Sequence, residues 1–132
     1  MLVVLVVLGL MVGLVVARGP SRSTALEMRA AVGAVTQDLR LTRARAIAGN
    51  TRLVVGFDPG RHQYQPQGAT PRPLPIELEL SVTSAAGQKK SEISFAPDGS
   101  SSGGRLVFVE GGRRRVVEVS WLTGRVSVTD AE

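Results

Sequence analysis

The apolar positions divide this chain into three stretches with different periods. From Met1 to Ala17 (MLVVLVVLGLMVGLVVA) there is no charged or strongly polar side chain. As a helix this stretch runs about 26 Å, slightly short of a bilayer core of roughly 30 Å. A helix apolar on every side needs lipid or a large protein around it, and a chain of 132 residues is too small to supply the protein. The stretch therefore reads as a membrane anchor, its apolar surface formed by Leu2, Val3, Val4, Leu5, Val6, Val7, Leu8, Leu10, Val12, Leu14, Val15 and Val16. A secretory signal peptide fits less well. No charged residue precedes the run, and Val16-Ala17-Arg18-Gly19-Pro20 offers no small-x-small cleavage site. The expectation is of a span completed by further residues ahead of Met1. Arg18, Arg22 and Arg29 all follow the segment, which alone would leave the remainder in the cytoplasm, and positive charges ahead of Met1 would reverse that.

The second stretch has a helical period. Gly19-Pro20 punctuates the chain, Ser23 or Thr24 can cap a helix that begins there, and Glu27 lies in its first turn. Met28, Val32, Val35, Leu39, Thr42 and Ala46 then recur at alternating spacings of four and three, one face of a helix. Thr24 and Ala31 widen the stripe, Arg43 lies nearer its edge, and Glu27, Asp38, Arg40 and Arg45 fall away from it. Gly49-Asn50 ends the helix.

After Asn50 the period becomes two. Arg52–Phe57 and Arg61–Gln65 flank the turn Asp58-Pro59-Gly60 and read as a hairpin. Residues 67–75, with three prolines and a glycine, read as a loop. Ile76–Thr83 alternates, with Ile76, Leu78, Leu80 and Val82 on the buried face. A polar connection, 85–91, leads to the short strand Glu92–Ala96. Leu106–Glu110 and Arg114–Trp121 flank Gly111-Gly112, and a turn at Leu122-Thr123-Gly124 leads into Arg125–Thr129. Trp121 is expected as a core anchor at a strand end. The chain thus divides into an anchor over 1–23 and a globular domain over 24–132, the latter a helix (24–49) followed by about seven strands. The fold class is α+β, with a long N-terminal helix packed on antiparallel sheet.

Charge and chemistry alter this picture little. Lys and Arg number 16 against 11 acidic residues, and 14 of the 16 are Arg. They are scattered along the chain, and the five aromatic residues give bases little to stack on, so no nucleic-acid partner is expected. Cysteine is absent, which removes disulfides and thiolate chemistry. His62, the sole histidine, has no Ser and Asp arranged around it in a recognisable pattern and reads as a surface strand residue. Asp98-Gly99 followed by three serines lacks the Lys of a phosphate loop and a second carboxylate, and reads as a turn. Arg113-Arg114-Arg115 reads as a solvated hairpin tip. No catalytic residue, metal ligand or cofactor is expected, nor a small-molecule substrate.

Three stretches resemble the H-type minor pseudopilins of type II secretion (the GspH/FimT family, with a type IV pilin-like fold). They are Leu39–Asn50 (LRLTRARAIAGN), Phe95–Gly104 (FAPDGSSSGG) and Val117–Val126 (VEVSWLTGRV). In the second, the family pattern falls on Phe95, Pro97, Asp98, Gly99, Ser100, Ser101, Gly103 and Gly104. The third, a closing hairpin, carries Trp121, Leu122, Thr123, Gly124 and Arg125. The resemblance spans essentially the whole chain. It implies a structural subunit of a secretion filament rather than an enzyme, anchored once in the bacterial inner membrane with its globular domain in the periplasm. Its implied partners are other pseudopilins, major and minor, the inner-membrane assembly platform, and a prepilin peptidase if the natural N-terminus lies upstream. The family's cleavage motif, Gly then Phe-Thr-x-x-Glu, is not found ahead of the apolar run, and a start upstream of Met1 is the expectation that accounts for it. A minor pilin of a type IV pilus is the nearest alternative. A membrane-anchored periplasmic enzyme or binding module is a more distant one.

Overall fold

A computed structural model describes residues 2–18, 24–84 and 88–131. The first helix, α1 (Leu2–Arg18), is followed by α2 (Thr24–Ala48). The expected break at Gly19-Pro20, the cap at Ser23 and part of the 85–91 connection lie outside the described residues. Among the described residues no helix is long and apolar enough to cross a membrane, α1 having 17 residues.

Eight strands follow: β1 (Leu53–Asp58), β2 (Gln63–Pro66), β3 (Arg72–Pro73), β4 (Glu79–Thr83), β5 (Glu92–Phe95), β6 (Gly104–Glu110), β7 (Arg113–Val119) and β8 (Val126–Ala131). They form two antiparallel sheets of four, ordered β3-β2-β1-β5 and β4-β6-β7-β8. The two-residue β3 falls where the sequence reads as loop. It pairs Gln63 with Pro73 and Tyr64 with Arg72, an edge position that suits a proline unable to donate to a neighbour.

The stripe on α2 is what joins the sheets. Met28, Val32, Val35, Leu39 and Ala46 are buried and pack with Val55, Ile93 and Phe95 from one sheet and Leu106, Phe108 and Val117 from the other. Thr36 and Thr42, also buried, return their hydroxyls to the carbonyls of Val32 and Asp38 one turn back (2.6 and 2.7 Å), so neither hydroxyl is stranded against the core. The helix ends because Asn50 turns left-handed (φ 48°) and Thr51 N–H donates to the Ala46 carbonyl at 3.1 Å. That pattern satisfies carbonyls the helix itself leaves open.

Three expectations need correction. Ile76 does not line the buried face. It is 82% exposed, because the Leu78 N–H closes a turn onto the Pro75 carbonyl (3.1 Å) and the strand starts only at Glu79. Trp121 is not a core anchor but 63% exposed, since β7 ends at Val119 and the tryptophan rides on the turn beyond it. Asp38 does not fall away from the packing face. Its carboxylate accepts from the Tyr64 hydroxyl (2.6 Å) and from Arg72 Nε (2.9 Å), which ties α2 to β2 and β3. Burial, and then the nearby Asp38 carboxylate, push the Tyr64 pKa well above the ordinary phenol range, so the hydroxyl stays a donor.

Candidate assembly surface

The features the sequence singles out come together at two places. The first is α1, whose side chains are described from Leu2 to Met11. Leu2, Val3, Val4, Leu5, Val6, Val7, Leu8 and Leu10 are all exposed, from 47% at Val7 to 79% at Leu2. A patch of this size is far more apolar surface than a soluble domain leaves in water, and it calls for lipid or another helix. The side chains of Val12, Leu14, Val15 and Val16 lie outside the described residues.

The second is a junction between the loop after β5 and the turn after β7, closed by Arg43 from α2. Phe95 anchors the loop in the core, fully buried. The chain then reverses. Ala96 N–H donates to the Ser100 carbonyl (2.8 Å), and Gly99 N–H donates to the Ala96 carbonyl (2.9 Å). Exposed Asp98 fixes the reversal by accepting from both the backbone N–H and the hydroxyl of Ser100 at 3.0 and 2.6 Å. Those bonds hold its carboxyl below its ordinary range. Ser101 N–H reaches across to the Trp121 carbonyl at 2.9 Å, and Gly124 N–H closes the second turn on the Ser120 carbonyl at 2.8 Å.

Arg43 sits between the two turns. Its Nε–H is shared by the carbonyls of Gly99 and Thr123, both at 3.1 Å. The guanidinium lies so close beneath the loop that a Cβ on Gly99 (φ 90°) would come within 2.9 Å of a terminal nitrogen. Gly103 and Gly104 are buried, Pro97 is half-buried, and Leu122, Thr123 and Arg125 are exposed beside Trp121. The sequence placed Arg43 only near the edge of a helical stripe. Its role becomes visible once the two glycine-containing turns are seen to converge on that edge. Arg43→Ala is expected to cost about 1.5–3 kcal/mol, the range for hydrogen bonds made by a charged group, measured by urea unfolding. Arg43→Lys should recover less than half of it, because an ammonium cannot lie flat under both carbonyls.

Among the described residues no group of three or more acidic, His or Cys side chains is arranged to hold a metal ion. His62 stands in a left-handed turn residue (φ 51°) beyond a single 3₁₀ turn at Pro59–Arg61, with its N–H on the Pro59 carbonyl. Arg113 and Arg114 are exposed at the β6–β7 tip, and Arg115 is half-buried.

One ionisable group went unmarked by the sequence. Glu110, at the end of β6, is only 2% exposed, and its carboxyl group stands against that of Glu27. Burial first, and the charges of Glu27 and Glu77 second, raise its pKa above the ordinary carboxyl range. The folded state therefore accommodates the neutral acid, and ionisation weakens the fold as pH rises through the raised value. Glu110→Gln is expected to stabilise the protein by about 1–2 kcal/mol at neutral pH. The gain should vanish near pH 4, where the parent is also neutral, and a set of thermal unfolding curves against pH would show whether it does.

Comparison with known proteins places this architecture. Residues 31–124 match the family described as type II transport protein GspH. The chain belongs to the GspH family. Arg43, the Phe95–Gly104 loop and the turn through Gly124 all fall within the matched region. The type II secretion system protein H of Xanthomonas campestris pv. campestris is 34% identical over 105 residues. That alignment covers 76% of this chain and 62% of the relative, so the chain spans rather less than two thirds of that protein's length. The fold is that of the minor pseudopilin EpsH from the type 2 secretion system of Vibrio cholerae, with a TM-score of 0.66 at 14% identity over 79% of this chain and 97% of the other. The type IV minor pilin FimU of Pseudomonas aeruginosa shares it, with a TM-score of 0.59 at 14% identity over 78% and 88% of the two chains.

Proposed function

We propose that this protein is a structural, minor subunit of a type II secretion pseudopilus. α1 holds it in the inner membrane and then packs among the equivalent helices of other pseudopilins as the filament forms, while residues 24–132 form the head in the periplasm. The observation that carries this reading is the pairing of an apolar, laterally exposed α1 with a pilin-like head of the GspH family. A helix apolar on all sides is as well accommodated among similar helices as in lipid, so transfer between the two costs little hydrophobic free energy. Small residues such as Gly9 allow close approach, and a Cβ there would meet nothing. In this role the assembly platform and a prepilin peptidase are its handling partners, and the work is mechanical rather than catalytic.

Likeness to FimU gives the minor-pilin reading a specific observation of its own. Deleting the gene separates the two. A secretion subunit should leave folded cargo in the periplasm with surface pili intact, restored by the full chain. Loss of pili with normal secretion would favour the pilin reading, and no change in either would sink both.

A further inference from the structure

An edge strand carries backbone N–H and C=O groups that its own sheet leaves unpaired, and three of the edges here are blunted. β3 is two residues long and ends in Pro73, which has no N–H to offer. The outer side of β5 is taken by Ser102. Its N–H donates to the Ser94 carbonyl and its hydroxyl accepts from the Ser94 N–H, both at 3.0 Å. The outer side of β4 is closed by Lys90, whose N–H donates to the Val82 carbonyl at 2.8 Å. β8 is the fourth edge, and among the described residues no strand pairs with its outer side. The Arg125 carbonyl accepts from Ser120 N–H at 2.9 Å, in the register that β7 and β8 then continue. By the alternation of an antiparallel ladder, Ser127 and Thr129 also turn their backbone groups to β7, and Val126, Val128 and Asp130 turn theirs outward. Arg40 of α2 marks that outer side, donating to the Val126 carbonyl at 3.2 Å.

Beside this edge a groove of about 480 Å³ runs between β8 and α2. Val32, Gly33 and half-exposed Val128 give it an apolar floor. A Cβ on Gly33 would meet nothing within 4 Å, so the helix leaves room there for a side chain from elsewhere. Arg29, Arg40 and half-buried Arg115 line the groove, and among the described residues no carboxylate does. Arg29 and Arg40 stand about 16 Å apart along the helix axis, a distance that about five residues of extended chain cover.

We propose that β8 and this groove bind an extended, acidic segment of a partner protein, which joins the sheet as a further strand. Its backbone pairs with the outward groups of Val128 and Asp130, and its alternate side chains enter the groove. A small apolar side chain lies over Gly33, between two carboxylates that meet Arg29 and Arg40. A second copy of this chain is a poor occupant, because pairing two β8 edges sets the same guanidinium groups against each other. Nucleic acid would answer to the charge but would leave the outward backbone groups and the apolar floor unused. The site is built from residues of the head alone and does not depend on the filament reading.

The test uses the isotope-labelled full chain in detergent micelles with two peptides. One is Thr-Glu-Thr-Val-Thr-Glu-Thr, and the other has Lys in place of each Glu. The Glu peptide should bind at least about tenfold more tightly than the Lys peptide at low salt. It should slow hydrogen exchange at Val128 N–H by at least about tenfold, with little change at Ser127 and Thr129, which already face β7. Arg29→Glu should weaken the Glu peptide by about fivefold and strengthen the Lys peptide by a similar factor. Gly33→Leu enters open space, so the thermal melt should hold while Glu-peptide binding falls at least about tenfold. Equal binding of the two peptides, binding that leaves Val128 exchange unchanged, or no binding at all would overturn the proposal. So would an oligothymidine strand that occupies the groove more tightly than the Glu peptide, which would assign the site to nucleic acid.

Discussion

Gly124→Ala is expected to lower the stability of the head by about 2–4 kcal/mol, although the change adds one methyl group. Gly124 has φ 70°, and a Cβ there would fall onto the Gly99 carbonyl oxygen, 2.8 Å from Arg43 Nε and 3.0 Å from its Cδ. Three elements meet at that spot, so none can yield without opening the junction between loop and turn. Gly112→Ala is the matched control. Its φ is 81°, equally unwelcoming to a side chain, but a Cβ there meets nothing, and only the conformational cost of about 1 kcal/mol applies. Urea unfolding of the two variants in detergent, followed by circular dichroism, separates packing from backbone strain. For a head of about 100 residues the larger loss corresponds to a fall in Tm of at least roughly 8 °C. Equal losses for the two variants would mean that the junction is not what the glycine serves.

Leu10→Asp is expected to remove the protein from its site of action without unfolding the head. Leu10 lies near the middle of α1 and is 63% exposed, so the substitution disturbs no packing within the chain. A carboxylate at the centre of an apolar helix costs on the order of 3 kcal/mol in lipid, and similarly between apolar helices where no partner meets it. The share of protein retained by carbonate-washed membranes should fall by at least tenfold, a step of about 1.4 kcal/mol. The circular-dichroism melt of the head should be unchanged, and secretion should not be restored in cells lacking the gene. Full retention and normal secretion with Leu10→Asp would show that α1 neither anchors nor assembles the chain.

The division of this fold into a helix and a run of strands is legible because period and burial coincide. Met28, Val32, Val35, Leu39 and Ala46 keep the helical spacing and are buried, and Leu78, Leu80 and Val82 alternate and are buried. Ile76 extends the same alternation yet points to solvent, because Pro75 starts a turn and the periodicity of side chains says nothing about where a strand begins. Trp121 misleads for a related reason, since its bulk argues for burial while its position on a turn exposes it. Asp38 and Glu110 are harder still. A carboxylate reads as solvent-facing until its neighbours are known, and the neighbours of Asp38 lie 26 and 34 residues on, at Tyr64 and Arg72. The junction itself is visible in the sequence only as three separate fragments. That Arg43 binds two of them together is a fact of topology.

The same topology sets the order in which this chain can become itself. α2 is made early, yet its stripe is covered by strands from both sheets, and Arg40 reaches a carbonyl 86 residues further along, in β8. No short segment can hide the helix alone, and contacts so distant in sequence form slowly. While the later strands are still being made, Val35 and Leu39 face water or whatever shields them. The unfinished head is then most open to proteolysis and to mispairing with its neighbours. It becomes safe only when the last turn closes over Arg43.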